Sequence, residues 1–244
     1  MEKKIKLILL ILSKKLNLNS KTNSIYSMHR PIIRKINPTA PKPETIAEAA
    51  AVIKQGGVVA FPTRCLYGLG VDAFNPEAVG RVIKMKRRSE QNPILVLIDS
   101  KQQLESLVMH IPPAADAIMA AFWPGRVTLV FEARNSLPDQ LTAQTGKIGV
   151  RLPGHPVAFS LVKHVKNPLT GTSANISGQP ACHRAKDLDP TIAGQLDFIL
   201  DAGNLRGGVG STVVDVTVDP PRILREGAVT SREVLGRVAG VLRY

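Results

Sequence analysis

The stretch Gly56–Ile98, GGVVAFPTRCLYGLGVDAFNPEAVGRVIKMKRRSEQNPILVLI, constrains the fold of this chain more than any other part of it. An apolar run, Val58–Phe61, ends at Pro62, which blocks continuation of a strand. Gly68 and Gly70 follow in Leu66-Tyr67-Gly68-Leu69-Gly70, where they permit backbone that a side chain would forbid or crowd. Asn75 is placed to cap a helix with Pro76 at its first position. Val79, Val82 and Ile83 then recur at helical spacing, Lys84–Arg88 crowd the helix exit, and a second apolar run starts at Pro93. The expected order is strand, glycine-rich turn, helix, cations, strand, a layout suited to holding a small anion. The cations also have a plainer reading, as favourable charges at a helix C-terminus. The glycine pair matches neither GxGxxG nor GxxxxGK[ST].

The remaining elements are read in the same way. Glu44–Gln55 is expected to be a helix burying Ile46, Ala49, Ala50 and Ile53, closed by Gly56-Gly57. Further helices are expected at 100–108, 112–122, from Pro156, and at 231–238 with Ser231 as cap. Strands are expected at 127–131, 148–152, 198–200, 211–216 and 222–224. Strands and helices alternate irregularly. The expected fold is therefore α/β with α+β character, a twisted mixed β-sheet flanked by helices, rather than pure βαβ winding. The loop 204–210, with Gly207, Gly208 and Gly210, is the most flexible-looking segment and a candidate lid.

With 244 residues and 44% hydrophobic side chains, the chain can bury a sizeable core. Its net charge of +13 points to an anionic partner, nucleotide or RNA. Residues 1–27 carry six lysines, one acid and no arginine, while all arginines lie later. That shift marks residues 1–28 as an extension, disordered, weakly helical or upstream of a true start at Met28, and residues 29–244 as a single domain. The apolar run Ile5–Leu12 is too short to span a membrane. It also lacks a cleavage site, which leaves a lipid-surface anchor as the sharper alternative for this segment. Cys65 and Cys182 form no CxxC, so neither a disulfide framework nor a zinc set is expected, and a cytoplasmic, reducing location is the default.

Polar residues gather where apolar strands end: Thr63, Arg151, Ser173, Asn175, Ser211, Thr212 and Arg225. Ligands of α/β sheets bind at strand ends. Each residue singly also suits a local turn or a surface ion pair, but their number on a basic chain favours a site. No GxSxG or HExxH occurs, the five histidines have no metal-ligand spacing, and His155 reads as a turn residue.

Seven segments in order resemble the YrdC-like family of threonylcarbamoyl-AMP synthases. They are GGVVAFPT-x-x-LYGLG (56–70), KRRSEQNP (86–93), FWPGRVTLVF (122–131), IGVRLPGHP (148–156), TSANISG (172–178), STVVDV (211–216) and ILREG (223–227). The resemblance implies a YrdC-like fold around a basic concave cavity. It implies a nucleotidyltransferase that joins L-threonine, bicarbonate and ATP into threonylcarbamoyl-AMP, with release of pyrophosphate. The product would pass to tRNA threonylcarbamoyl-transfer proteins, and tRNA itself is a candidate partner. The family's K-x-R and S-x-N elements fall on Lys86, Arg88, Ser173 and Asn175, which would be catalytic. Arg88, Asn92, Ser173, Asn175 and Arg225 would contact ATP. Thr63, Cys65, Arg151 and Ser211 would surround threonine, and Mg2+ would bridge the phosphates with few protein ligands.

The sequence departs from the family's usual pattern at Arg64-Cys65, where an acid and a threonine are common, and at Leu97, where histidine is common. Cys65 reads either as a buried turn residue or as a thiol activated beside Arg64. Two readings stand beside the synthase: an RNA-binding module without catalysis, and a paralogue acting on another substrate. Few aromatics are present, which disfavours a reader of single strands by base stacking.

Overall fold

A computed structural model describes residues 30–238; the extension at 1–28 lies outside them. Among the described residues eleven strands form two mixed sheets. The first sheet has the order β1 (Ile32–Lys35), β9 (Phe198–Asp201), β2 (Val59–Pro62), β3 (Tyr67–Gly70), β8 (Thr172–Ser173). The second has the order β11 (Arg222–Arg225), β10 (Thr212–Asp215), β5 (Val127–Glu132), β6 (Lys147–Arg151), β4 (Val96–Leu97), β7 (Leu169–Thr170). The mixed α/β architecture expected from the sequence is present, with its strands divided between two sheets. β7 belongs to one sheet and β8 to the other, so the chain passes between them at Gly171. A Cβ there would lie 2.7 Å from Cγ of Leu97, so only glycine leaves the crossing open.

Helix α1 (Pro43–Lys54) buries Ile46, Ala49, Ala50 and Ile53, the four positions its periodicity singles out. It packs on α6 (Pro156–Val165) beneath the first sheet, around Phe61, Phe198 and Leu161. The other core fills the space between the second sheet and helices α2 (Pro76–Met85), α3 (Lys101–Leu107), α4 (Pro113–Phe122) and α8 (Ser231–Val238). Short α5 (Asp139–Thr142) and α7 (Pro190–Ala193) complete the set. Fully burying each large aliphatic side chain contributes about 1.5–3 kcal/mol, so these two clusters dominate the stability.

Two local details differ from the sequence expectation. Residues 67–70 are strand rather than turn: β2 and β3 form an antiparallel hairpin in which Pro62 faces Tyr67. Gly70 is required there by crowding, since a Cβ would meet Cε1 of Phe61 at 2.7 Å. The cap of α8 is Thr230 rather than Ser231. The Thr230 hydroxyl accepts from the Glu233 N–H at 3.2 Å, and the Glu233 carboxylate accepts from the Thr230 N–H at 2.8 Å, a capping box. Within the 204–210 loop, the candidate lid, Leu205 N–H donates to the His183 carbonyl and Gly207 N–H to that of Cys65. No helix among the described residues is long and apolar enough to cross a membrane.

Candidate functional site

A cavity of about 630 Å³ lies between the two sheets. Its floor is the inner face of the second sheet, and the period-two alternation of strands selects what that face presents. Lys147, Gly149 and Arg151 point in from β6, Thr128 and Val130 from β5, and Ser211, Val213 and Asp215 along β10. The β2–β3 hairpin contributes Thr63, Leu66, Tyr67 and Gly68 to the opposite wall, and Ser173 reaches it from β8.

The basic segment after α2 reaches this cavity through its helix end. Asn75 caps the start, accepting from the Ala78 N–H at 3.0 Å. At the other end Arg87 adopts a left-handed conformation, φ 49°. Arg87 N–H donates to the Lys84 carbonyl and Arg88 N–H to that of Ile83, the paired bonds of a Schellman turn. The reversal leaves Lys84 in the last helical turn, sends Arg88 to the cavity and turns Lys86 into the protein. Arg88 is steadied by the carbonyls of Asn92 at 3.2 Å and Pro93 at 2.8 Å.

Seven of the ten candidate residues therefore share one cavity: Thr63, Arg88, Asn92, Arg151, Ser173, Ser211 and Arg225. Cys65 lines a smaller adjoining cavity instead. Lys86 and Asn175 lie behind the wall. The Lys86 side chain is buried, and its Nζ donates to the carbonyl oxygens of Ser173 and, at 2.5 Å, of Asn175. The Lys86 carbonyl in turn accepts from the Ser177 N–H. Asn175 Nδ2 donates to the carbonyls of Ile176 at 2.9 Å and Gln179 at 2.6 Å. Both residues thus shape the 173–179 segment that presents Ser173.

The cavity is electropositive. Arg88, Lys147, Arg151, Arg222 and Arg225 line it against a single carboxylate, Asp215. Asp215 is almost fully buried and pairs with Lys147 at 2.9 Å, with Arg222 Nη2 further off at 3.8 Å. Burial would raise the Asp215 pKa, but hydrogen bonds from Thr217 and Lys147 outweigh it and hold the carboxyl below its ordinary range. Burial, together with the charge of Arg225, pushes Arg151 down to about 10, partly offset by Cys65, and leaves it charged at neutral pH. Burial and the charge of Arg88 push Lys86 down to about 8. Arg151 Nε and Asn175 Oδ1 are buried without a hydrogen-bond partner. Ser211 shares a 2.8 Å hydrogen bond with Thr128, and its carbonyl accepts from Arg225 at 2.8 Å.

Lys147, Asp215, Arg222, Thr128 and Tyr67 also line the cavity beyond the residues expected at strand ends, because the face a strand shows, and not its end alone, decides what reaches the site. The signal was available in the alternation Lys147-x-Gly149-x-Arg151 and Ser211-x-Val213-x-Asp215. The Tyr67 hydroxyl donates to the Gly203 carbonyl at 2.9 Å and accepts from the Ala202 N–H at 3.0 Å. Burial raises its pKa well above the ordinary value, so it stays protonated. No group of three or more His, Cys, Asp or Glu that could hold a metal ion occurs among the described residues.

The Sua5/YciO/YrdC family model, described as telomere recombination, matches residues 51–227. Threonylcarbamoyl-AMP synthase from Pyrococcus abyssi is 38% identical over 195 residues, covering 80% of this chain and 57% of that protein. The enzyme of the same name from Bacillus subtilis is 40% identical over 194 residues, covering 78% and 55%. The chain thus spans little more than half the length of these curated relatives. A crystal structure of P. abyssi Sua5 complexed with L-threonine superposes with a TM-score of 0.81 at 36% identity, over 85% of this chain and 61% of that one. The family match covers most of the sequence, including every strand but β1 and all the residues that line the cavity, and this chain belongs to the Sua5/YciO/YrdC family.

Proposed function

We propose that this chain is a nucleotidyltransferase that makes threonylcarbamoyl-AMP and pyrophosphate from L-threonine, bicarbonate and ATP, for threonylcarbamoyladenosine in tRNA. The observation that carries the reading is that one cavity joins Arg88, Ser173 and Arg225, suited to a nucleotide, with Thr63, Arg151 and Ser211, suited to a hydroxy amino acid. The names of the relatives favour this over an RNA-binding module without catalysis.

The chemistry asks for positioning and charge. The threonine amine adds to the carbon of bicarbonate and water leaves, giving a carbamate. A carbamate oxygen then attacks the α-phosphorus of ATP and pyrophosphate departs. Arg88 and Arg225 stabilise the charge that develops on phosphoryl oxygens. Arg151 holds the threonine carboxylate through a planar fork that lysine cannot reproduce. Thr63 and Ser211 select the threonine hydroxyl, since a polar site rejects an analogue that leaves its groups unpaired. Lys86 and Asn175 act through the 173–179 segment. Mg2+ arrives with ATP; the one cavity carboxylate is already engaged by Lys147, so the residues fit an ion held by phosphates and water rather than by a protein cage. Cytoplasmic action, with transfer proteins and tRNA as recipients of the adenylate, follows from the same reading.

The test is pyrophosphate release from ATP and Mg2+, with threonine and bicarbonate omitted one at a time. Release that needs both, and falls with serine or valine, supports the reading. Release independent of either overturns it.

A further inference from the structure

Thr128 lies on the cavity floor between Arg151 and Ser211. Its strand, β5, runs between β10 and β6. Thr128 is paired with Val213 of β10, and the neighbouring Leu129–Val150 pair sets it across from Arg151 of β6. All three side chains line the one cavity, so Thr128 stands between the guanidinium and the serine on a single sheet face. We propose that Thr128 is a positioning residue, which orients the Ser211 hydroxyl toward the hydroxyl of bound threonine. The assignment rests on the synthase reading above and adds to it a residue that controls the choice between threonine and its apolar isostere, valine.

The main chain of Ser211 is held without help from Thr128. Its carbonyl accepts from Arg225 Nη2 at 2.8 Å. The next residue, Thr212, donates its N–H to the Arg126 carbonyl at 3.1 Å. The Thr212 hydroxyl oxygen accepts from the N–H groups of Gly227 and Val229, each at 3.0 Å. Gly227 packs so closely that a Cβ there would lie 2.6 Å from the Ser211 carbonyl carbon. The remaining freedom is in the Ser211 side chain, which has three staggered positions. The 2.8 Å bond to Thr128 selects among them.

Threonine suits this task because its β-branch stiffens χ1. The Thr128 methyl lies on the β6 side, 3.5 Å from where a Gly149 Cβ would stand, and the hydroxyl lies on the β10 side against Ser211. Thr128 is only 3% exposed, so water competes little for the bond. Each hydroxyl carries one proton and two lone pairs. If Thr128 donates, the Ser211 proton points to the ligand; if Ser211 donates, its lone pairs do. Ser211 can then meet a ligand hydroxyl in either sense. A methyl group at the same place leaves Ser211 without that partner, which is how a polar site rejects an apolar isostere.

Calorimetric titration of the full chain without ATP measures the affinity for threonine and for valine. Thr128→Val keeps the side-chain shape and removes the hydroxyl, and should reduce the preference for threonine by about fivefold, the effect of one hydrogen bond. Thr128→Ala removes the hydroxyl without adding a methyl and should do the same. Thr128→Ser retains the hydroxyl and should keep the preference within about twofold of the parent. In a Ser211→Ala background, Thr128→Val should change the preference no further, because Thr128 acts through Ser211. A merely structural role would weaken both amino acids alike. The parent preference retained in both Thr128→Val and Thr128→Ala overturns the proposal. So does a further loss of preference in the Ser211→Ala background, or a parent protein that binds threonine no better than valine. Threonine-selective binding without threonine-dependent pyrophosphate release refutes the synthase reading instead, and the binding series still decides the role of Thr128.

Discussion

Replacing Lys86 by methionine separates stability from function at one buried position. The ammonium donates to the carbonyls of Ser173 and Asn175. Methionine keeps the length of the side chain and strips both acceptors of their donor, which costs about 1–3 kcal/mol each. An opposing effect is nearly as large. Burial and Arg88 depress the Lys86 pKa from 10.5 to about 8. That corresponds to about 3 kcal/mol against the charged, folded form below pH 8, which the substitution relieves. The balance lies between about 1 kcal/mol of stabilisation and about 3 kcal/mol of destabilisation at pH 7, so Lys86→Met should fold. Turnover should nevertheless fall by about a hundredfold or more, because Ser173 loses its support and small misplacements of a site residue carry penalties of that order. The pH dependence has a definite sign. Between pH 8 and 10.5 the folded lysine has lost its proton while the unfolded one retains it, so the unfolded state binds more protons and stability rises with pH. Denaturant unfolding at pH 7.5 and 10 should show that rise in the parent protein and a smaller one in Lys86→Met. Full turnover in the variant, or identical pH slopes, would refute the reasoning.

Three further substitutions probe other parts of the site and fold. Arg151→Lys should raise the KM for threonine by about 10–100-fold, since it surrenders charged hydrogen bonds that each contribute about 1.5–3 kcal/mol; steady-state kinetics check it. Asp215→Asn removes a buried carboxylate paired with Lys147. Its depressed pKa stabilises the fold above the ordinary value of 3.8, and that contribution disappears as pH falls below it, so the parent protein should lose more stability than the variant between pH 4 and about pH 2 in acid titration. Thr230→Ala opens the capping box of α8 and should destabilise by about 1 kcal/mol, read as a lower denaturant midpoint with an unchanged slope.

Much of the fold is legible because local rules and tertiary packing agree. The periodicity of Ile46, Ala49, Ala50 and Ile53 names the buried face of α1, and Asn75-Pro76 fixes the start of α2. Where they part, long-range contact decides. Tyr67–Gly70 carries turn-forming glycines, yet it is strand because it pairs with β2 on one side and β8 on the other, and the glycines make room for Phe61 and Thr63. The site is legible at Thr63, Arg88, Arg151, Ser173, Ser211 and Arg225, which sit at strand or helix ends. At Lys147 and Asp215 the alternation shows which strand face they share with Arg151 and Ser211, but that they meet each other and Arg222 depends on which strands are neighbours. Lys86 shows a finer gap: sequence places it beside Arg88, but only the Schellman turn at Arg87 decides that one cation faces the cavity and the other faces inward.

The most direct measurement of the central claim is product identity. The full chain is incubated with ATP, Mg2+, [14C]bicarbonate and, in parallel, [14C]threonine, and the nucleotides are separated. A single adenylate that takes up label from both sources, in equal amount and matched by pyrophosphate, is the predicted result. An adenylate carrying threonine alone, or no labelled adenylate from protein that binds ATP, would contradict the account.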